Sequence, residues 1–168
     1  MSQFVNICGP VVGTTAYKNN KLVARNVAIT LPEVAPTTAD LQAMGTYSMP
    51  IWQLIGHMEA AITKIGADEG LAALITPDMG QIEFRWVHTV TDASGKTREV
   101  GCKAFIKGIP SKIPGVGLEV GSASEGEATI AVTRYALFVD GAEMWLIDRL
   151  AGIVRINGKD YADIGSML

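Results

Sequence analysis

Strict alternation of apolar and polar positions recurs along this chain and predicts a protein built mainly of strands. Val27, Ile29 and Leu31 alternate with Asn26, Ala28 and Thr30, the period of a half-buried strand, and Pro32 ends it because proline cannot donate to a ladder. Ile82, Phe84 and Trp86 alternate with Glu83 and Arg85. Val100, Cys102, Ala104 and Ile106 alternate with Glu99, Lys103 and Lys107. The two runs flank "TDASGKT", so they read as a hairpin. In "IWQLIGHMEAAITKIG", Trp52, Leu54, Met58, Ala60 and Ile62 share one parity; this favours one long strand from Trp52 to Ile62, although "HMEAAITKI" also contains good helix formers.

Downstream, "EATIAVTRYALFVD" is rich in β-formers. Asp140-Gly141 turns it into "AEMWLID", and "GIVRING" supplies a final strand and turn. The best helix is short, "ADEGLAALI" at 67–75, with Asp68 and Glu69 in its first turn, where the dipole favours anions. Residues 1–21 carry Gly9-Pro10, Gly13 and Asn19-Asn20 and read as loop with a short strand at Phe4–Cys8. Residues 32–50, with Pro32, Pro36 and Pro50, keep neither period and read as a long loop, as does "SKIPGVGLEVGSASEG". The expectation is one domain over 1–168: about seven or eight strands and one short helix, in a sandwich or small barrel.

Composition narrows the chemistry. Charged residues are only 18% of the 168 and hydrophobic ones 48%, which excludes a disordered chain. The formal charge of −3 provides no basic footprint for tight phosphate binding. Two cysteines, Cys8 and Cys102, cannot make a disulfide framework and read as small buried residues or weakly reactive thiols. No segment has the length to span a bilayer, and Met1–Phe4 lacks the pattern of a signal peptide, so the chain is expected to be made in the cytosol.

Reactive constellations do not emerge. His57 and His88 fall on different predicted strands without a second ligand at a metal-site spacing. Gly115, Gly117 and Gly121 miss the dinucleotide spacing. Asp140 and Asp148 could be imagined as paired carboxylates, but a turn explains the first, and a cap or an arginine partner the second. Trp52, Trp86 and Trp145 could form a stacking platform, yet no basic groove accompanies them, so they read as core or interface residues. No catalytic, cofactor-binding or metal-ligating residue is expected. A charge-poor β domain with a long, apolar-tipped loop points to assembly.

The ending "YALFVDGAEMWLIDRLAGIVRINGKDYADI" resembles that of the major tail tube proteins of contractile-tailed phages and R-type bacteriocins. Tyr135, Leu137, Val139, Asp140, Gly141, Ile147, Asp148, Ile156, Asn157, Gly158 and Asp160 carry the match. "VAITLPEV", "MGTYSMPIWQLIGHMEAAIT" and "GCKAFIKGIP" resemble further family segments in the same order, so the likeness spans roughly residues 22 to 168. It implies a β-sandwich or barrel-like subunit with one flanking helix and a protruding loop, similar also to the type VI secretion tube protein. It further implies hexameric rings whose inner strands close a barrel and which stack into a tube. The implied partners are other copies of the chain, a contractile sheath, a baseplate or tube initiator, a tape-measure protein and a tail terminator. DNA would be non-specific cargo in a phage, and no stable membrane association is implied. The location would be a virion tail or a bacteriocin particle.

Within that picture, the loop at 32–50 is expected to lie against neighbouring subunits. Pro32, Pro36 and Pro50 would stiffen it, and Val34, Leu41, Met44, Tyr47 and Met49 suit an interface better than a solvated loop. The runner-up is a β-barrel module binding a small ligand or peptide, and a third reading is a hydrolase-like enzyme with an unrecognised site.

Overall fold

A computed structural model describes residues 6–168. The fold is mainly antiparallel β, with one short helix, as the alternation requires. The strands are β1 (Ile7–Lys18), β2 (Lys21–Arg25), β3 (Ala28–Thr30), β4 (Pro36–Gln42), β5 (Thr46–Ile55), β6 (Met58–Ile65), β7 (Gln81–Thr91), β8 (Thr97–Pro110), β9 (Glu125–Val139), β10 (Ala142–Asp148), β11 (Ile153–Ile156) and β12 (Lys159–Asp163). The helix α1 (Glu69–Leu74) lies between β6 and β7.

Ten strands form one branched sheet. Its main path runs β12-β11-β10-β9-β8-β7-β1-β2, while β6 pairs with β9 and carries β3. The fork lies in β9. Its first half, Glu125–Val132, pairs with β6, and its second half, from Arg134, pairs with β10. Opposite β8, Lys107 faces Arg134 and Gly108 faces Val132, which leaves Thr133 as a bulge. One extra residue reverses the parity of the strand. Ala128, Ile130 and Val132 point into the core before the bulge, and Tyr135 and Leu137 do so after it. Gly108 permits the close approach: a Cβ there would lie 2.2 Å from the Ala131 carbonyl oxygen. Both branches and α1 enclose one core, whose largest members include Tyr135, Phe84, Met58, Ile62, Ile106 and Ile130.

Local chemistry explains the joints. Asn19-Asn20, Asp140-Gly141 and Asn157-Gly158 all have positive φ at both positions, the type I′ geometry that suits two-residue hairpins. Asp68 caps α1 by accepting from the Leu71 N–H at 3.1 Å, and Lys64 donates to Asp68 at 2.6 Å. At the other end, the buried Lys18 ammonium donates to the carbonyls of Ala73 (2.6 Å) and Thr76 (3.1 Å) and pairs with Asp78 at 2.8 Å. Lys64 holds the Asp68 carboxyl, and Lys18 the Asp78 carboxyl, below the ordinary value of 3.8.

Several expectations are corrected. Residues 7–18 are a long strand rather than mostly loop; register shifts at Cys8/Val11 and Val11/Gly13 absorb Gly9-Pro10 and Gly13 and hide the alternation. The expected short strand at Phe4–Cys8 lies partly outside the described residues. Trp52–Ile62 is not one strand. It breaks at Gly56-His57, where the Gly56 N–H donates to the Ala35 carbonyl at 2.9 Å as the chain passes from one sheet to another. The segment 32–50 is not a loop throughout, since β4 and the first half of β5 occupy it. The described residues form twelve strands, because the fork, this hairpin and β12 after Asn157-Gly158 all add strands.

Candidate assembly interface

β4 and β5 form a two-stranded sheet of their own. Thr37 faces Ile51, Ala39 faces Met49 and Leu41 faces Tyr47, all with one parity; Thr38 faces Pro50, Asp40 faces Ser48 and Gln42 faces Thr46 with the other. The hairpin is therefore amphipathic. Ser48 donates to the Asp40 carboxylate on the polar side, whereas Leu41, Tyr47 and Met49 stand exposed on the apolar side. Pro36 and Pro50 are tolerated because each strand of a two-stranded sheet has a free edge where no N–H is required.

The apex carries a second cost. Met44 has φ 55, a left-handed conformation that favours glycine or asparagine, and its side chain is completely exposed. An isolated two-stranded hairpin is marginal in water. This one has an exposed apolar face and tip, although β5 also touches β11 and β12.

The structure divides the residues singled out at 32–50. Leu41, Met44, Tyr47, Met49 and Pro50 are exposed on the hairpin. Pro36 is half-buried where it begins. Pro32 and Val34 instead turn inward and line an apolar crevice with Trp52, Tyr135, Trp145, Ile147 and Ile156.

Two exposed apolar groups were not legible as sites. Ile7, Val11 and Val12 lie on the first half of β1, whose outer edge β2 leaves unpaired because their register begins at Thr15. Ile113, Leu118 and Val120 project from the segment between β8 and β9. The first group was obscured by bulges. The second has its hydrophobicity as a sequence signal, but no period that places it.

The C-terminal motif residues build structure. Tyr135 is buried edge-on to Trp145, with ring centroids 6.0 Å apart, and burial pushes its hydroxyl pKa up to about 12. Asp140 and Gly141 form the β9–β10 turn, and the Asp140 N–H donates to the Gly101 carbonyl at 3.0 Å. Asp148 accepts from the N–H groups of Leu150 and Ala151, both at 3.1 Å, and lies 4.0 Å from Arg134. Asn157 and Gly158 form the β11–β12 turn, beside which Asp160 accepts from Arg155 at 2.9 Å.

The residues considered for chemistry do not converge. Asp140 and Asp148 bracket β10, roughly 20 Å apart at the rise of an extended chain. His57 is exposed beside Glu59, while His88 lies 3.4 Å from Cys102, whose thiol pKa burial pushes up. Cys8 is exposed rather than buried. Among the described residues, no group of three His, Cys, Asp or Glu side chains is placed to hold a metal ion. Trp52, Trp86 and Trp145 pack against the core.

Comparison with known proteins agrees with this architecture. The chain is similar to a chain of the sheath–tube complex of an extracellular contractile injection system, PVC, in its extended state: 14% identity, TM-score 0.55, covering 77% of this chain and 90% of that one. A chain of the sheath/tube terminator of the same system in its extended state is similar at 13% identity and TM-score 0.55, covering 77% of this chain and 95% of that one. At these identities the likeness shows the fold. No curated protein matches the sequence. The family profile described as phage tail tube protein FII matches residues 11–164, nearly the whole chain, so this protein belongs to that family.

Proposed function

We propose that this chain is the structural subunit of the inner tube of a contractile tail, assembling into hexameric rings that stack into a conduit. The observation that carries the reading is the β4–β5 hairpin, whose apolar face and strained Met44 apex need a partner that the subunit does not contain. Family membership supports the tube role, and the shared fold with chains of a contractile injection system supports a surrounding sheath. The body interior is filled by side chains such as Phe84, Ile62 and Ile106, which weighs against a ligand-binding barrel. Its role is structural, and no catalytic step enters the proposal.

Within an assembly, Leu41, Met44, Tyr47, Met49 and Pro50 contact a neighbouring subunit, while Pro36 sets the departure of the hairpin. Pro32 and Val34 anchor its root to the body of their own subunit. A baseplate or initiator, tape measure and terminator complete the tail. The particle is a phage virion or a bacteriocin, made in the bacterial cytoplasm.

The test is to replace residues 36–48 with a short Gly/Ser linker. The body keeps its β circular dichroism, because a surface excursion contributes little to core burial. Electron microscopy of assembled particles then shows no tubes, whereas the unaltered chain gives rings and tubes. Normal tubes from the shortened chain would overturn the role given to the hairpin.

A further inference from the structure

Two groups with metal-binding atoms stand together in the body and have no part in the assembly described above. His88 lies on β7 and Cys102 on β8. Their register sets Trp86 opposite Cys102 and His88 opposite Val100. Opposed residues, and residues two apart along a strand, share a face of the sheet. Trp86, His88, Val100 and Cys102 therefore project to the same side, where His88 Nδ1 comes to 3.4 Å from the Cys102 sulfur. The contact is a diagonal one between two strands already laddered together. Both atoms are thus positioned by the sheet itself, without help from a loop.

The surroundings decide what this pair can hold. Cys102 sits with Val90 and Val100 in a small buried cluster, against which Trp86 and Val139 pack. The cysteine is 2% exposed, while His88 is half-buried and leaves a way in. Burial pushes the thiol pKa up, and Cys8 and Asp140 push it further, so the sulfur is protonated at neutral pH. A protonated, covered thiol is a poor nucleophile, which sets it apart from a cysteine poised for alkylation or oxidation. A soft cation can displace its proton and gain the Nδ1 lone pair in the same step.

Ligand number then selects the ion. Among the described residues, no three His, Cys, Asp or Glu side chains converge on one point. Calcium and magnesium demand six or more oxygens, and zinc sites supply at least three protein ligands. Thiolate sulfur prefers soft ions, and copper(I) and silver(I) are satisfied by two ligands. Metal bonds of about 2.0 Å to nitrogen and about 2.3 Å to sulfur hold the two atoms about 4.3 Å apart when collinear, and closer when bent. The half-buried imidazole needs only a small swing from 3.4 Å to reach that range. We propose that Cys102 and His88 form a two-coordinate site for a soft monovalent cation, copper(I) or silver(I). The cation bonds to Cys102 Sγ and His88 Nδ1, the thiol proton leaves to solvent, the ring proton stays on Nε2, and no electron is transferred.

The test uses silver(I) in chloride-free buffer on the folded subunit carrying Cys8→Ser, so that the exposed thiol does not compete. Calorimetry should show one tight equivalent with one proton released. Cys102→Ser in that background should abolish it, leaving only weak binding to exposed thioethers such as Met44 and Met167. His88→Ala should weaken it by roughly tenfold or more, since even an outer-shell partner is worth that much to a metal site. Nitrogen NMR of the Cys8→Ser chain should show the His88 Nδ1 resonance moving as silver is added, a shift that binding to sulfur alone does not produce. Circular dichroism checks that each variant is folded, and the NMR result decides the matter if His88→Ala is not. No Cys102-dependent equivalent would reduce the pair to a structural hydrogen bond. Silver bound at Cys102 with the Nδ1 resonance unmoved, or with affinity unchanged by His88→Ala, would remove the histidine from the site. Either result overturns the proposal, and neither touches the tube reading.

Discussion

The branched body and the β4–β5 hairpin use the same alternation of apolar and polar residues, yet their apolar faces meet different fates. In the body, β6 turns Met58, Ala60 and Ile62 onto Phe84, Ile106 and Ile130 until none retains more than a trace of solvent contact. In the hairpin, Leu41, Tyr47 and Met49 line up equally well across two strands and remain exposed. Periodicity specifies which side of a strand is apolar. It does not specify whether the cover for that side lies in the same molecule.

The most severe way to break the comparison is to damage the body. Phe84→Ala removes a fully buried ring from the core and should cost about 3–5 kcal/mol, measured as a lower urea midpoint of the isolated subunit. A loss comparable to that of a surface substitution would show that the body is not the stable unit.

The fork should respond next. At Gly108 an added Cβ meets backbone oxygen at 2.2 Å, whereas at Gly101 nothing lies within 4 Å. Gly108→Ala should therefore destabilise by about 1–3 kcal/mol, with Gly101→Ala much closer to neutral, both read by thermal denaturation. Equal effects would mean that the β8–β9 crossing relaxes freely.

A smaller effect belongs to α1. Asp68→Ala removes its N-cap and the Lys64 partner and should cost about 1 kcal/mol in denaturant unfolding. Acid should act in the same direction. Because Asp68 and Asp78 are depressed below 3.8, their stabilisation is present above that value and is lost as the pH falls through the folded-state values. A subunit whose midpoint does not fall on acidification, or whose fall is unchanged by Asp68→Asn with Asp78→Asn, would exclude these groups as its source.

The smallest effect on subunit stability sharpens the contrast most. Leu41→Ser with Tyr47→Ser should alter the stability of the isolated body by only about 0.5 kcal/mol, because both side chains are already solvated. The same variant should give far fewer tubes by electron microscopy. A large loss of subunit stability would mean that the hairpin face is covered within its own chain.

Much of the body was legible because its signals are local. The β7–β8 hairpin follows from two alternating runs about "TDASGKT", and Asp140-Gly141 places the β9–β10 turn. Asp68 starts the helix by satisfying its first N–H groups. Part of the candidate interface was equally legible, since Leu41, Met44, Tyr47 and Met49 are too apolar for a solvated loop. What only tertiary structure decided was partnership. Bulges concealed β1, and Gly56 ended the run expected from Trp52 to Ile62. Pro32 and Val34 turned inward because Trp52 and Trp145 offered an apolar surface that is distant in sequence. At Thr133, one residue between two well-patterned halves reverses which side faces the core. Alternation is a property of neighbouring residues, whereas register, branching and cover depend on segments that meet only in the folded chain.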